Sequence, residues 1–281
     1  MSSLQENEHA PESELWIFSD GAKCEEDKKI IDDVRAYLKT IIGFKVIKIF
    51  IEESNKGLAN SIIDGVSLAF KSFDKVIVME DDIGTTPNFL SFMNACLDKY
   101  KDKKSVYSVS GYSFDLGSCD NEDAYFVTRG WSWGWATWKD RWCSIDWQVE
   151  DYEAFKQDLT KRRSFAKGGS DLNKMLYDQM NGKIDSWAIR WFYDQYKVGG
   201  LTIYPVYSKV FNNGFDQFAT HTAGSSRRYL PSLDTSNKSE FCLPEEIAIN
   251  LTYQKRFQHK MSIYSRVISK LESIMQKVLL R

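Results

Sequence analysis

Between Leu15 and Ser110 short apolar runs alternate with amphipathic stretches of helical period, and that alternation confines the chain to an α/β fold, a sheet flanked by helices. Leu15 to Ser19 reads as a strand ending in Ser19-Asp20-Gly21, and Asp27 to Ile42 follows with Ile30, Ile31, Val34, Tyr37, Leu38 and Ile41 at helical spacing. Lys45 to Ile51 is a second strand. Asn55-Lys56-Gly57-Leu58 opens a helix whose apolar face carries Leu58, Ile62, Val66 and Ala69 or Phe70. Val76-Ile77-Val78-Met79 is a buried strand by its length and β-branched content. Pro87 then starts a helix through Leu90, Met93 and Leu97, and Ser105 to Ser110 returns as a strand. Strand and helix in turn at this spacing predict a mostly parallel sheet.

The third of these strands ends in Glu80-Asp81-Asp82, so three acids emerge at the carboxyl end of a strand, where open α/β sheets bind ligands. Carboxylates held this close repel one another. A divalent cation relieves the repulsion: hard oxygen ligands suit Mg²⁺ or Mn²⁺, and the ion in turn binds a diphosphate. The competing reading is a solvated acidic turn, and placement directly after a buried strand weighs against it.

Composition narrows the function classes. The 37 Lys plus Arg against 39 Asp plus Glu leave a net charge of −2, without the basic excess of a nucleic-acid binder. Five Cys with no C-x-x-C pair and three His disfavour both a disulfide framework and a structural zinc site. The polar, acidic start MSSLQENEHAPESE lacks the layout of a signal peptide, and no run approaches the roughly 18 apolar residues that span a bilayer. A cytoplasmic protein is expected.

Beyond Tyr112 turn residues lead into Gly130-Trp131-Ser132-Trp133-Gly134-Trp135-Ala136-Thr137-Trp138, and eight of the nine Trp fall between Trp131 and Trp191, a concentration that asks for a local cause. Trp133, Trp135 and Trp138 can line a sugar-binding wall, because aromatic faces cover the apolar faces of pyranose rings, with Gly134 letting the backbone approach; equally, they can be core. Helices are expected near 151–160, 171–181 and 187–197, and strand-like stretches near 201–210. Asp185 precedes the last of these helices and can serve as its N-cap. Thr222 to Asn237, rich in Ser, Thr and Gly and containing Arg227 and Arg228, reads as a long loop. Residues 250–281 carry seven Lys or Arg against one Glu, with Ile263, Val267, Leu271, Ile274 and Val278 on one helical stripe. The part from 260 to 281 suits an anionic membrane surface, a helix docked on the rest of the chain, or a partner contact.

Asn55-Lys56-Gly57-Leu58-Ala59, Val76-Ile77-Val78-Met79-Glu80-Asp81-Asp82-Ile83, Pro87-Asn88-Phe89-Leu90 and Trp133-Gly134-Trp135-Ala136-Thr137-Trp138 together resemble bacterial nucleotide-sugar glycosyltransferases of the GT-A fold, distant relatives of the N-acetylglucosaminyltransferase I type. The resemblance covers about residues 14–222. It implies a GT-A, Rossmann-like domain over 1–222, a loop region over 223–249 and a basic C-terminal helical extension over 250–281. The implied reaction is a metal-dependent, inverting transfer of a hexosyl or N-acetylhexosaminyl group from a UDP-sugar. The implied acceptor is a polysaccharide, lipopolysaccharide or lipid-linked saccharide, met in the cytoplasm or peripherally at the inner membrane face.

Carried onto this sequence, the resemblance makes Asp82 the ligand of Mn²⁺ or Mg²⁺, with Glu80 and Asp81 touching ribose or supporting the site. Asp20 would contact the base or ribose. Asn55 and Gly57 would shape the loop beside sugar and nucleotide, although a plain helix cap explains them equally. Trp133, Gly134, Trp135 and Trp187 would face the donor. His221 would approach the metal or the diphosphate, a structural role being the alternative. Asp185 would be the base that deprotonates the acceptor hydroxyl.

Enzymes of this type begin with a strand that enters the nucleotide pocket and a helix after it. Here only Ser2 to Glu8, the tail of such a helix, precedes Leu15–Ser19, so the first strand is expected to be missing and a sheet edge to be unpaired. A catalytically inactive carbohydrate-binding remnant is therefore the second reading. A sugar nucleotidyltransferase is a third, but the Gly-rich, basic phosphate loop it needs near the N-terminus is not visible.

Overall fold

A computed structural model describes residues 1–214 and 226–279. The chain opens with α1 (Ser2–Gln5), β1 (Glu14–Ser19), α2 (Asp27–Leu38), β2 (Val46–Ile51), α3 (Leu58–Ala69) and β3 (Lys75–Val78). It continues through β4 (Ile83–Thr85), α4 (Phe89–Lys99), β5 (Val106–Ser110), β6 (Ala124–Val127) and β7 (Trp135–Trp138). Helices α5 (Lys139–Trp142), α6 (Tyr152–Gln157), α7 (Leu159–Phe165), α8 (Leu172–Met180) and α9 (Trp187–Lys197) follow. Strands β8 (Leu201–Pro205) and β9 (Val210–Asn212) and helices α10 (Leu251–Lys260) and α11 (Ile263–Leu279) complete it. The helix expected near 151–160 is broken at Asp158, whose carboxylate turns back to accept the Thr160 and Lys161 N–H groups and starts α7.

The chain is α/β, but its main sheet is mixed rather than mostly parallel. Five strands run in the order β3-β7-β5-β8-β6, and only β5 and β8 are parallel neighbours. Strand β6, antiparallel to β8, is one cause, and the Trp run is the other. Trp135 to Trp138 forms a strand that inserts between β3 and β5, antiparallel to both, with Trp135 opposite Val78 on one side and Ser110 on the other. Strand alternation then sends successive side chains to opposite faces. Ala136 and Trp138 enter a core with Phe89, Met93, Val109 and Phe126, whereas Trp135 enters a second core with Trp142, Trp187 and Trp191. These four Trp account for half of the concentration seen in the sequence: Trp135 lies 4.4 Å from Trp191 and 5.0 Å from Trp187, ring centre to ring centre. Helix α10 belongs to the first core, where Tyr253 stacks on Tyr125 at 3.9 Å.

Strands β1 and β2 form a separate parallel pair, and β4 and β9 a separate antiparallel one. Among the described residues β1 pairs with β2 alone and β3 with β7 alone, so each keeps one edge unpaired. The β1–β2 pair is held by packing on α3 and its end: Phe18 lies against Gly65, where a Cβ would come within 3.2 Å of the ring, and Trp16 meets Phe73 edge-on at 5.5 Å. A two-stranded pair is marginal by itself, and β1 and β2 are half-buried where β5 and β8 are almost wholly buried. Amide hydrogens of β1 and β2 are accordingly expected to exchange through local openings well before those of β5 and β8. Equal protection of the two pairs in a native-state exchange experiment would contradict that assignment.

Candidate active site

Two groups of sequence-expected residues converge, one around Asp20 and one around Asp82. Asp20 follows β1 directly, and its carboxylate is saturated. Oδ1 accepts the N–H groups of Gly21 (2.8 Å) and Lys56 (2.9 Å), and Oδ2 accepts that of Gly57 (3.0 Å) and the Asn55 side-chain amide (3.0 Å). The Asn55 amide also donates to the Gly21 carbonyl at 3.0 Å. Asp20 is thus the brace of the loop between β2 and α3, and with four N–H donors already on it, a ligand contact would have to displace one. Gly21 is required there because a Cβ would lie 2.3 Å from the Ser54 carbonyl carbon. Gly57 takes the N-cap position of α3 at φ +80°, a conformation that favours glycine.

That loop faces Asp185. A Cβ on Gly57 would stand 3.4 Å from Asp185 Oδ2, so Asn55, Gly57 and Asp185 share one surface. Asp185 does not cap α9; Ser186 does, accepting the Ile189 N–H. The Asp185 carboxylate is exposed, with the Arg190 guanidinium 4.0 Å away. Arg190 is anchored on the Ser186 and Trp147 carbonyls, and burial pulls its pKa below the ordinary arginine value.

The second group lies past the end of β3. Asp81 is exposed, while Glu80 and Asp82 are half-buried. Burial first, then the charges of Asp82 and Asp81, push the Glu80 carboxyl up to about 7. Asp82 is also raised, by burial and by Asp81, against the lowering hydrogen bond from Asn212. Its Oδ2 accepts the Asn212 side-chain amide at 3.1 Å, and its backbone carbonyl accepts the Asn213 N–H at 2.8 Å. Its Oδ1 is buried and has no hydrogen-bond partner among the described residues. Gly214 closes over this carboxylate, where a Cβ would come within 2.3 Å of Oδ2. Neither Asn212 nor Gly214 belongs to a motif in the sequence; the place of Asn212 depends on the β4–β9 pairing, which sets it opposite Ile83.

Trp135 and Trp187, expected to face the donor, are both buried in the second core and packed ring on ring, so core packing accounts for them. Gly134, at φ +57°, is itself buried, with its carbonyl accepting the Gly111 N–H and its Cα side against Val210 and Phe89, so packing already explains it. Trp133 keeps a partly accessible position, edge-on to Tyr112 and Trp131 and 5.6 Å from Tyr229. Arg228 stacks on the Tyr229 ring, with Nε and Nη1 buried and without a hydrogen-bond partner among the described residues. His221 lies outside the described residues.

Among the described residues no three His, Cys, Asp or Glu side chains gather at metal-binding geometry. The donor chemistry nevertheless suits a hard cation, because Asp82 offers one buried carboxylate oxygen without a partner among the described residues, beside two further acids. Mg²⁺-type sites commonly take one or two protein carboxylates and fill the rest with water and substrate phosphates. Comparison of the chain with protein-family models and with curated proteins finds no match in either.

Proposed function

We infer that the protein is a metal-dependent glycosyltransferase that moves a sugar from a nucleoside-diphosphate donor, a UDP-sugar, to a saccharide or lipid-linked acceptor by inversion. The observation that carries this reading is the buried Asp82 Oδ1 past the end of β3, a carboxylate oxygen that has no donor among the described residues and has two more acids beside it. A divalent ion held by Asp82 would neutralise charge on the leaving diphosphate. Asn212 holds the Asp82 carboxylate in place, and Gly214 leaves it the room. Asn55 and Gly57, fixed by Asp20, present the loop beside Asp185. Asp185, exposed and not engaged in capping, takes the proton of the acceptor hydroxyl as that oxygen attacks the anomeric carbon. Trp133, partly accessible, is an aromatic ring suited to contact with a sugar.

Titrating UDP and UDP-sugars calorimetrically into the protein, with Mn²⁺ and with EDTA, tests this: binding is expected with the metal and lost with the chelator. Absence of binding in both conditions would overturn the reading. The unpaired edges of β1 and β3 favour one other reading, a sugar-binding chain without transfer activity, and saccharide binding indifferent to Mn²⁺ would establish it instead. For the base, Asp185→Asn is expected to bind donor as before and to lose turnover by about 10²–10⁴-fold. Transfer at the unaltered rate would remove Asp185 from the mechanism.

A further inference from the structure

Helix α11 is docked with its amphipathicity reversed. Its inward side is polar: Ser269 is 3% exposed, Ser262, Ser265, Arg266, Glu272 and Ser273 are half-buried, and the Arg266 guanidinium donates to Ser170 Oγ at 3.2 Å. The apolar stripe points away from the protein, with Ile263 67%, Val267 52%, Leu271 55% and Ile274 51% exposed, and Tyr264, Ile268 and Met275 widen it. A helix that buries serines and exposes isoleucines on its own protein has its apolar face unmatched, and a continuous apolar stripe of this kind marks an interaction surface.

Charge selects the occupant. Residues 250–281 carry seven Lys or Arg and one Glu, whereas the first 249 residues are net acidic at −8. Lys270 is exposed on α11 and Lys255, Arg256 and His259 on α10 before it, and Lys255, Arg256, His259 and Lys260 line a shallow groove with Asp115 and Leu116. A second copy would bring a second Lys270 and no free acid to answer it, since Glu272 is the only acid on α11 and is itself half-buried. An anionic lipid surface meets both demands at once: the acyl boundary takes the apolar stripe and the headgroups pair with the cations. Among the described residues no helix is long and apolar enough to cross a membrane, so the contact is with the surface.

We propose that α11 binds the protein to anionic membranes, lying in the plane of the interface with Ile263, Val267, Leu271 and Ile274 immersed. The proposal does not rest on the transfer reaction, and its test involves no nucleotide. Flotation of the full chain with phosphatidylcholine vesicles, with and without phosphatidylglycerol, is the experiment. Binding is expected on the phosphatidylglycerol vesicles, weak on phosphatidylcholine alone and reduced by added salt. The double substitution Val267→Glu, Leu271→Glu lies at exposed positions, so its melting temperature should match the unaltered chain while vesicle binding falls by about tenfold or more. Failure to bind phosphatidylglycerol vesicles overturns the proposal. So does a concentration-dependent dimer in sedimentation that the same double substitution dissolves, which would assign the stripe to a second copy.

Discussion

If the proposed transfer reaction holds, Asp82→Ala is expected to abolish Mn²⁺-dependent binding of the UDP-sugar and to lower transfer by about 10³-fold or more, equivalent to about 4 kcal/mol of transition-state stabilisation. The protein itself should remain as stable as before or gain stability. In the unaltered chain the Asp82 carboxylate is half-buried next to Glu80 and Asp81, its pKa is raised by burial and by Asp81, and Oδ1 has no partner among the described residues. Removing an uncompensated buried acid relieves a cost to folding, so a site that binds metal is expected to trade stability for function. The two readouts must therefore move apart: isothermal titration with UDP-sugar and Mn²⁺ loses its signal while the urea midpoint holds or rises. Metal-dependent binding that persists in the variant would remove Asp82 as the ligand. A fall in both signals would mean that Asp82 is needed for folding, through the β4–β9 pair that it joins by Asn212.

Asp234→Ala is expected to destabilise the fold by about 3–5 kcal/mol, because it leaves the Lys209 ammonium buried without a counter-charge. Lys209 and Asp234 form a salt bridge at 3% and 5% side-chain exposure, with the Lys209 ammonium over the Phe241 ring at 4.8 Å and the Asn88 amide donating to Asp234 at 3.0 Å. Lys209 leads directly into β9, and its carbonyl accepts the Thr86 N–H at 2.8 Å, so this pair pins the base of the strand that carries Asn212 to Asp82. Replacing both partners together, Lys209→Met with Asp234→Leu, is expected to recover most of the loss, since neither charge then remains buried. A loss under about 1 kcal/mol in the single variant, measured by urea unfolding, would mean that the pair behaves as a solvated surface bridge.

The same pair sets an acid limit. Burial pulls both partners toward neutrality and lowers Lys209, but hydrogen bonds from Lys209, Ser236 and Asn88 overcome it at Asp234 and hold that carboxyl well below the usual range. With the folded pKa below the roughly 3.9 of an unfolded Asp, the contribution is complete above that value and is lost as pH falls through the folded one. Asp234→Asn should lack this acid-side loss.

Much of the first half was legible in the residues. The helical spacing of Leu58, Ile62 and Val66 and the β-branched run before Glu80 produce α3 and β3 where they were expected, because period and propensity are local properties. The placement of three acids beyond that strand follows from the same reading. Pairing partners are not local. Trp135 to Trp138 shows neither helical nor strand period strongly enough to be assigned, and its insertion between β3 and β5, together with the antiparallel β6, turns a parallel expectation into a mixed sheet. The sidedness of α11 is of the same kind: its apolar stripe is plain in the sequence, yet only docking through Ser269 and Arg266 decides that the stripe faces outward.

Side-chain assignments divide along the same line. Asp185 and Ser186 are adjacent and both suited to capping, and the backbone at Ser186, φ −124° and ψ 106°, gives the cap to the serine and leaves the aspartate open. Asp20 carries its ligand-type chemistry in one letter, but the four N–H groups that occupy it come mostly from residues 55–57, brought there by β1 pairing with β2. Asn212 reaches Asp82 across 130 positions of sequence. Local periodicity thus dictated which elements form and where the acids emerge. Contacts between distant segments, which no local period encodes, decided which acid is braced, which is left unpaired and which faces remain exposed.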